Sequence, residues 1–128
     1  MVVIKRTDRT VNGKFKGRYY DFGDGRKLYL EHIGGEKTRA LDHKHNAWTL
    51  PTSTIRQAEA AGCTQIGVLH KIGKKKTTYI ANMQDFLNAP SEVHYVSGKE
   101  PMRRLNRNLF VANSSHTAEA LETALEIR

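Results

Sequence analysis

Residues 12–35 read NGKFKGRYYDFGDGRKLYLEHIGG, and the spacing of the turn signals in this stretch decides the fold class. Asn12-Gly13 and Asp24-Gly25 accept the positive φ angles of tight hairpin turns, and Gly34-Gly35 adds a third break. Between them lie two short runs rich in aromatic and aliphatic residues. Phe15 to Phe22 contains Tyr19 and Tyr20, and Lys27 to Ile33 contains Leu28, Tyr29 and Leu30. Upstream, Val2 to Thr7 opens on β-branched residues; downstream, Thr38 to Lys44 follows the double glycine. Turns this close leave no room for a helix before residue 45, so residues 1–44 are expected to form an antiparallel β-meander of about four strands.

The pattern changes after Trp48. Pro51 breaks the strand, Thr52, Ser53 and Thr54 offer helix N-caps, Gln57 stands three after Thr54 as in a capping box, and Gly62 suits the left-handed position after a helix. A helix over 52–62 follows, with Ile55, Ala58 and Ala61 on one face. Residues 64–111 read as mixed structure. Gln65 to Lys71 and Thr77 to Asn82 form a second hairpin across Lys74-Lys75-Lys76, Met83 to Leu87 gives one helical turn, and Val93 to Val96 and Asn106 to Val111 are short strands. Residues 115–128 read as a C-terminal helix with Ala118, Leu121 and Leu125 on one side. The expected architecture is α+β in a single domain spanning 1–128, packed around Trp48, Ile66, Val68, Leu69, Ile80, Phe86 and Leu87.

Charge points toward a class of partner. The chain of 128 residues carries 21 Lys and Arg against 13 Asp and Glu, a net charge of +8. Residues 1–116 hold 20 of the basic and 10 of the acidic groups, so the body is more basic than the whole and the tail is acidic. A basic body attracts polyanions, because each neutralised phosphate releases condensed counterions. DNA or RNA is therefore the expected partner. The cations group as Lys14, Lys16, Arg18, Arg26 and Lys27 on the meander, Lys74, Lys75 and Lys76 at the second hairpin, and Arg103, Arg104 and Arg107 near the end, with aromatic residues interleaved in the first group. No apolar run approaches the roughly 20 residues needed to cross a bilayer, and the start lacks a signal-peptide pattern, so a cytoplasmic protein without a membrane partner is expected. The lone Cys63 has no cysteine partner and reads as a small buried hydrophobe.

Enzyme motifs are sparse. There is no Gly-x-Ser-x-Gly, no His-Glu-x-x-His and no cysteine pair, and Gly34-Gly35-Glu36-Lys37-Thr38 lacks the glycine before the lysine of a phosphate-binding loop. Asp42-His43-Lys44-His45 carries more chemistry. On a strand, Asp42 and Lys44 would project to one face and His43 and His45 to the other. A carboxylate beside an ammonium can hold Mg²⁺ and stabilise charge on a phosphodiester, with Asp24 or Glu31 as second carboxylate. The two histidines, with His32, could instead coordinate a transition metal.

The order of a strand, a strand bearing Asp42-x-Lys44, the helix with Ile55-Arg56-Gln57-Ala58 and a further strand resembles the PD-(D/E)XK nuclease core, over about residues 23–87. Ile66-Gly67-Val68-Leu69-His70-Lys71 and Tyr79 through Leu87 resemble runs in phage resolvase-like members. The resemblance implies an Mg²⁺-dependent nuclease with Asp24, Asp42 and Lys44 catalytic and Asp24 and Asp42 as metal ligands. The chain lacks the leading helix of that core, and Asp24 also suits a hairpin turn for conformational reasons alone. The favoured expectation is a small basic nucleic-acid-binding protein of a prokaryote or its mobile elements, without a cofactor. The nuclease, with Mg²⁺, is the alternative, and an inhibitor or assembly protein using Leu121 and Leu125 against a partner or a second copy is a further one.

Overall fold

The computed structural model describes residues 5–23, 25–35, 41–88, 92–93 and 100–113; the expected C-terminal helix and Asp24 lie outside them. The class is α+β. Strands β1 (Lys5–Val11), β2 (Lys14–Asp21) and β3 (Lys27–Gly34) form the antiparallel meander. β4 (Leu41–Asp42) and β5 (Ala47–Pro51) follow, then α1 (Thr52–Ala60), the hairpin β6 (Gln65–Ile72) and β7 (Lys75–Asn82), and α2 (Met83–Leu87). β8 (Glu92–Val93), β9 (Met102–Asn106), a 3-10 turn (Arg107–Leu109) and β10 (Val111–Asn113) complete the described chain. Among the described residues no helix is long and apolar enough to cross a membrane.

The strands make two sheets. The first has six strands in the order β1-β2-β3-β6-β7-β10 and the second has four in the order β4-β5-β9-β8. β3 runs parallel to β6, and the crossover between them carries β4, β5 and α1. The meander therefore has three strands where four were expected. The fourth stops at Asp42 because residues 43–46 close a turn. The Asn46 N–H donates to His43 O at 3.3 Å, the His45 N–H donates to Asp42 Oδ1 at 3.2 Å, and Asn46 takes φ +49°. The last strands also differ, since Asn106 ends β9 and a 3-10 turn separates it from β10.

One face of the large sheet packs on α1, α2 and the small sheet. Tyr29, Ile66, Val68 and Ala81 meet Ile55 and Ala58 of α1, Met83 and Phe86 of α2, and Trp48, Leu50 and Leu105 of the small sheet. Ile55 is 1% exposed, and burying such a side chain stabilises by about 1.5–3 kcal/mol. The opposite face carries a second cluster of Tyr20, Phe22, Leu28, Leu30 and Leu69, with Ile80 beside it. Leu69 and Ile80 thus belong to a different cluster from Trp48, against the single core expected. Trp48 is 1% exposed, set edge-on to His70 at 5.5 Å and tilted against Tyr79 at 5.0 Å. Cys63 is buried, and its thiol is pushed up to about 11 by that burial.

α1 starts without the expected side-chain cap. Pro51 takes the N-cap position, and the Thr52 hydroxyl is buried without a hydrogen-bond partner. Gln57 accepts instead from Arg9 Nε at 2.9 Å, which ties α1 to β1. The other end follows the expectation: Gly62 takes φ +84°, where a side chain would be strained.

Candidate nucleic-acid interface

Local chemistry turns the chain tightly at both hairpins. Asn12 (φ +53°) and Gly13 (φ +77°) make a two-residue turn between β1 and β2, and Gly73 (φ +60°) lies in the turn between β6 and β7. Strand registers place both turns at the same end of the six-stranded sheet. Gly17 pairs with Glu31 toward the end of β3, Gly34 at that end pairs with Lys71, and Lys71 pairs with Lys76. Lys14 and Lys16 therefore share one rim with Lys71, Lys74, Lys75 and Lys76, all exposed. The rim also carries Val11 at 37%, Phe15 at 43% and Ile72 at 42% exposure. Among the described residues no acidic side chain lies in these two turns.

An irregularity in β1–β2 pairing sharpens this rim. Arg9 faces Gly17 while Thr10 faces Phe15, which leaves Lys16 as an extra residue. A bulge lets two successive side chains on one strand oppose a single partner residue, so the alternation shifts beyond it. Phe15 consequently meets His32 edge-on at 4.9 Å and lies under the Arg18 guanidinium at 5.1 Å. Arg18 also pairs with Asp8 at 2.9 Å.

The remaining expected cations hold the fold together. Lys27 Nζ donates to Ala61 O at 2.9 Å, and the Arg26 guanidinium sits 5.5 Å over the Phe22 ring. Arg103 Nη1 donates to the carbonyls of Phe86 and Leu87 at 3.1 and 3.0 Å, at the C-terminal end of α2. Arg104 pairs with Asp42 at 3.0 Å, and Arg107 lies 5.7 Å over the Trp48 ring. Lys27 and Arg103 thus brace helix ends and Arg104 and Arg107 the small sheet, while Arg26 packs on a ring beside the β2–β3 turn.

Asp42 and Lys44 do not share a strand face, because Lys44 stands exposed in the 43–46 turn. The Asp42 carboxylate lies 3.0 Å from both His45 Nδ1 and Arg104 Nε. Burial pushes its pKa up, but the His45 N–H and ring and the Arg104 guanidinium outweigh that and hold it below the usual range. His43 and His45 lie in this turn, away from His32 on β3. Among the described residues no three His, Cys, Asp or Glu side chains are grouped to hold a metal ion.

Glu31, the other candidate carboxylate, belongs to the large sheet and has its own partners. Tyr29 Oη donates to Glu31 Oε1 at 2.6 Å, and Arg9 Nη1 lies 3.7 Å from the same oxygen. Gly17 makes this network fit, since a Cβ there would strike Leu30 O and come within 2.6 Å of Tyr29 Oη. Arg9 was not among the expected functional cations, because the first strand was read as ending at Thr7, whereas β1 runs to Val11. Burial raises the Glu31 pKa above its ordinary 4.5, against the lowering effects of Tyr29, Arg9 and Lys16. The folded protein then binds a proton here more readily than the unfolded chain, so the charged carboxylate costs stability near neutrality. That cost is relieved as pH falls through the raised folded value and is gone below the unfolded value. Wild-type protein should therefore gain stability relative to Glu31→Gln between pH 7 and about pH 4.5, read by urea unfolding at both pH values. A relative loss on acidification would mean that Arg9 dominates burial.

Comparison of the chain with protein-family models, with curated proteins and with solved structures finds no match.

Proposed function

We propose that the protein binds nucleic acid, with the rim formed by the β1–β2 and β6–β7 turns as the principal phosphate-contacting surface. The observation that carries this reading is the convergence of Lys14, Lys16, Lys71, Lys74, Lys75 and Lys76 at one end of the large sheet beside exposed Phe15. Lysine ammonium groups on flexible stems suit phosphate contact independent of sequence, and an exposed ring suits base stacking. Neighbouring strands are about 4.8 Å apart, so β2 and β7 put the two lysine groups within about 15 Å, a span that one strand of nucleic acid covers.

Salt titration tests the reading. Removing one lysine that meets a phosphate should lower the slope of log K against log salt by about 0.7–0.9. Lys14→Ala with Lys16→Ala is expected to reduce the slope by about 1.5, and adding Lys74→Ala, Lys75→Ala and Lys76→Ala should bring the total to about 4. Anisotropy titrations with duplex and single-stranded DNA and RNA read this directly, and gels of the same mixtures with Mg²⁺ read cleavage. Unchanged slopes in the five-residue variant would mean that these turns are merely solvated. No binding at low salt would remove the reading altogether.

A further inference from the structure

We propose that a groove at the opposite end of the large sheet binds one unpaired guanine nucleotide of a bound single strand, an inference that rests on the nucleic-acid reading above. The groove has a volume of about 310 Å³ and is lined by Lys5, Thr7, Tyr19, Asp21, Lys27 and Ala61. That is at the small end of ligand clefts, which run from roughly 300 to 1,000 Å³, and fits a single nucleotide.

Register builds its two rows of side chains. Lys5, Asp21 and Lys27 lie directly opposite one another across β1, β2 and β3, and Thr7, Tyr19 and Tyr29 form the next row on the same face. The end of α1 closes the groove beyond Lys27, whose ammonium is anchored on Ala61 O at 2.9 Å. Tyr19 is held against its cross-strand partner Tyr29 with ring centroids 4.7 Å apart, so the ring is braced from the β3 side. Asp21 is braced too, because its Oδ1 accepts the Gly23 N–H at 2.9 Å.

The mixture of charges selects the ligand. A bare phosphate would meet the Asp21 carboxylate between the two ammonium groups, whereas a base edge offering N–H donors would not be repelled. Guanine alone among the four common bases presents two adjacent donors, N1–H and N2–H, that match the two oxygens of a carboxylate. Its neighbouring O6 needs a donor, and the Lys27 ammonium has hydrogens beyond the one given to Ala61. Lys5 stands exposed on the β1 side of the groove and is the ammonium free to meet the nucleotide's phosphate. Single-strand readers stack bases on aromatic rings and bond their pairing edges in this way. Duplex would not serve, since its guanine edge is already paired.

β2 spans about 24 Å from Lys14 to Asp21 at the ~3.4 Å rise of an antiparallel strand. One single strand can therefore contact the lysine rim and the groove together. The test compares single strands of equal length that differ at one position, guanine against adenine, cytosine or uracil. The guanine strand is expected to bind about tenfold more tightly to the wild-type protein. Asp21→Asn should remove that preference, because the amide offers one acceptor where the carboxylate offers two, while keeping an oxygen for the Gly23 N–H. Guanosine monophosphate should also shift the Gly23 amide resonance of the wild-type protein, which tests the groove without any variant. Equal binding of all four strands with the salt-dependent rim contacts intact would overturn the guanine site alone, as would a preference that survives Asp21→Asn. Absence of binding by every strand at low salt would overturn both readings.

Discussion

Trp48→Ala is expected to remove about 3–5 kcal/mol of stability, the usual range for truncating a large core aromatic. The ring is 1% exposed and joins the two sheets: it sits between its cross-strand partners Leu41 and Leu105 and faces His70 and Tyr79 of the large sheet. These four neighbours are held in strands, which limits their collapse into the space. With domain stabilities of about 5–15 kcal/mol, the variant would be marginal at physiological temperature. Trp48→Phe should cost far less. The indole Nε1 is buried without a hydrogen-bond partner, and phenylalanine removes that unsatisfied donor while filling much of the volume. Thermal unfolding by circular dichroism measures both; tryptophan fluorescence cannot, since Trp48 is the only one in the chain. A destabilisation under about 1 kcal/mol for alanine would show that the two layers are joined elsewhere.

Gly67→Ala should be as damaging for the opposite reason. Gly67 is in the middle of β6, paired with Leu30 on one side and Ile80 on the other. A Cβ built there would strike the Tyr79 carbonyl oxygen and stand 3.0 Å from the Ile80 Cα. Both obstacles are backbone, so relief requires β6 and β7 to separate and break ladder hydrogen bonds. Overpacking of this kind costs about 3 kcal/mol. Urea unfolding of the purified variant reads it, and a change within about 0.5 kcal/mol would show that the hairpin adjusts freely.

Much of the fold was legible because local chemistry specified it. Asn12-Gly13 set a two-residue turn, Gly62 ended α1, and α2 fell on Met83–Leu87. Pairing partners were less legible. Short apolar runs between turn signals identify β3 and β6 as strands but do not say that they lie side by side and parallel, since that neighbourhood depends on the crossover between them. The small sheet was hidden further. β4 has two residues, and β9 reads Met-Arg-Arg-Leu-Asn, where only Leu105 is buried. The cations were visible one by one, but not their division of labour. Nothing local distinguishes Lys75, exposed on the rim, from Arg103, which holds two carbonyls of α2. Asp42 and Lys44 would be face-mates only if residues 43–46 continued the strand.

The small sheet also governs when the protein can be finished during synthesis. β5 lies between β4, a few residues upstream, and β9, which follows only after β6, β7 and α2. A nascent chain can assemble the meander, α1 and the β6–β7 hairpin, yet Trp48 lacks Leu105 and Leu50 lacks Arg103 until β9 has left the ribosome. Such long-range pairing folds late and leaves apolar surface open in the meantime. Polypeptides released before Met102 would present that surface to chaperones and proteases, so truncated products should be cleared while full-length chains escape as soon as β9 slots between β5 and β8.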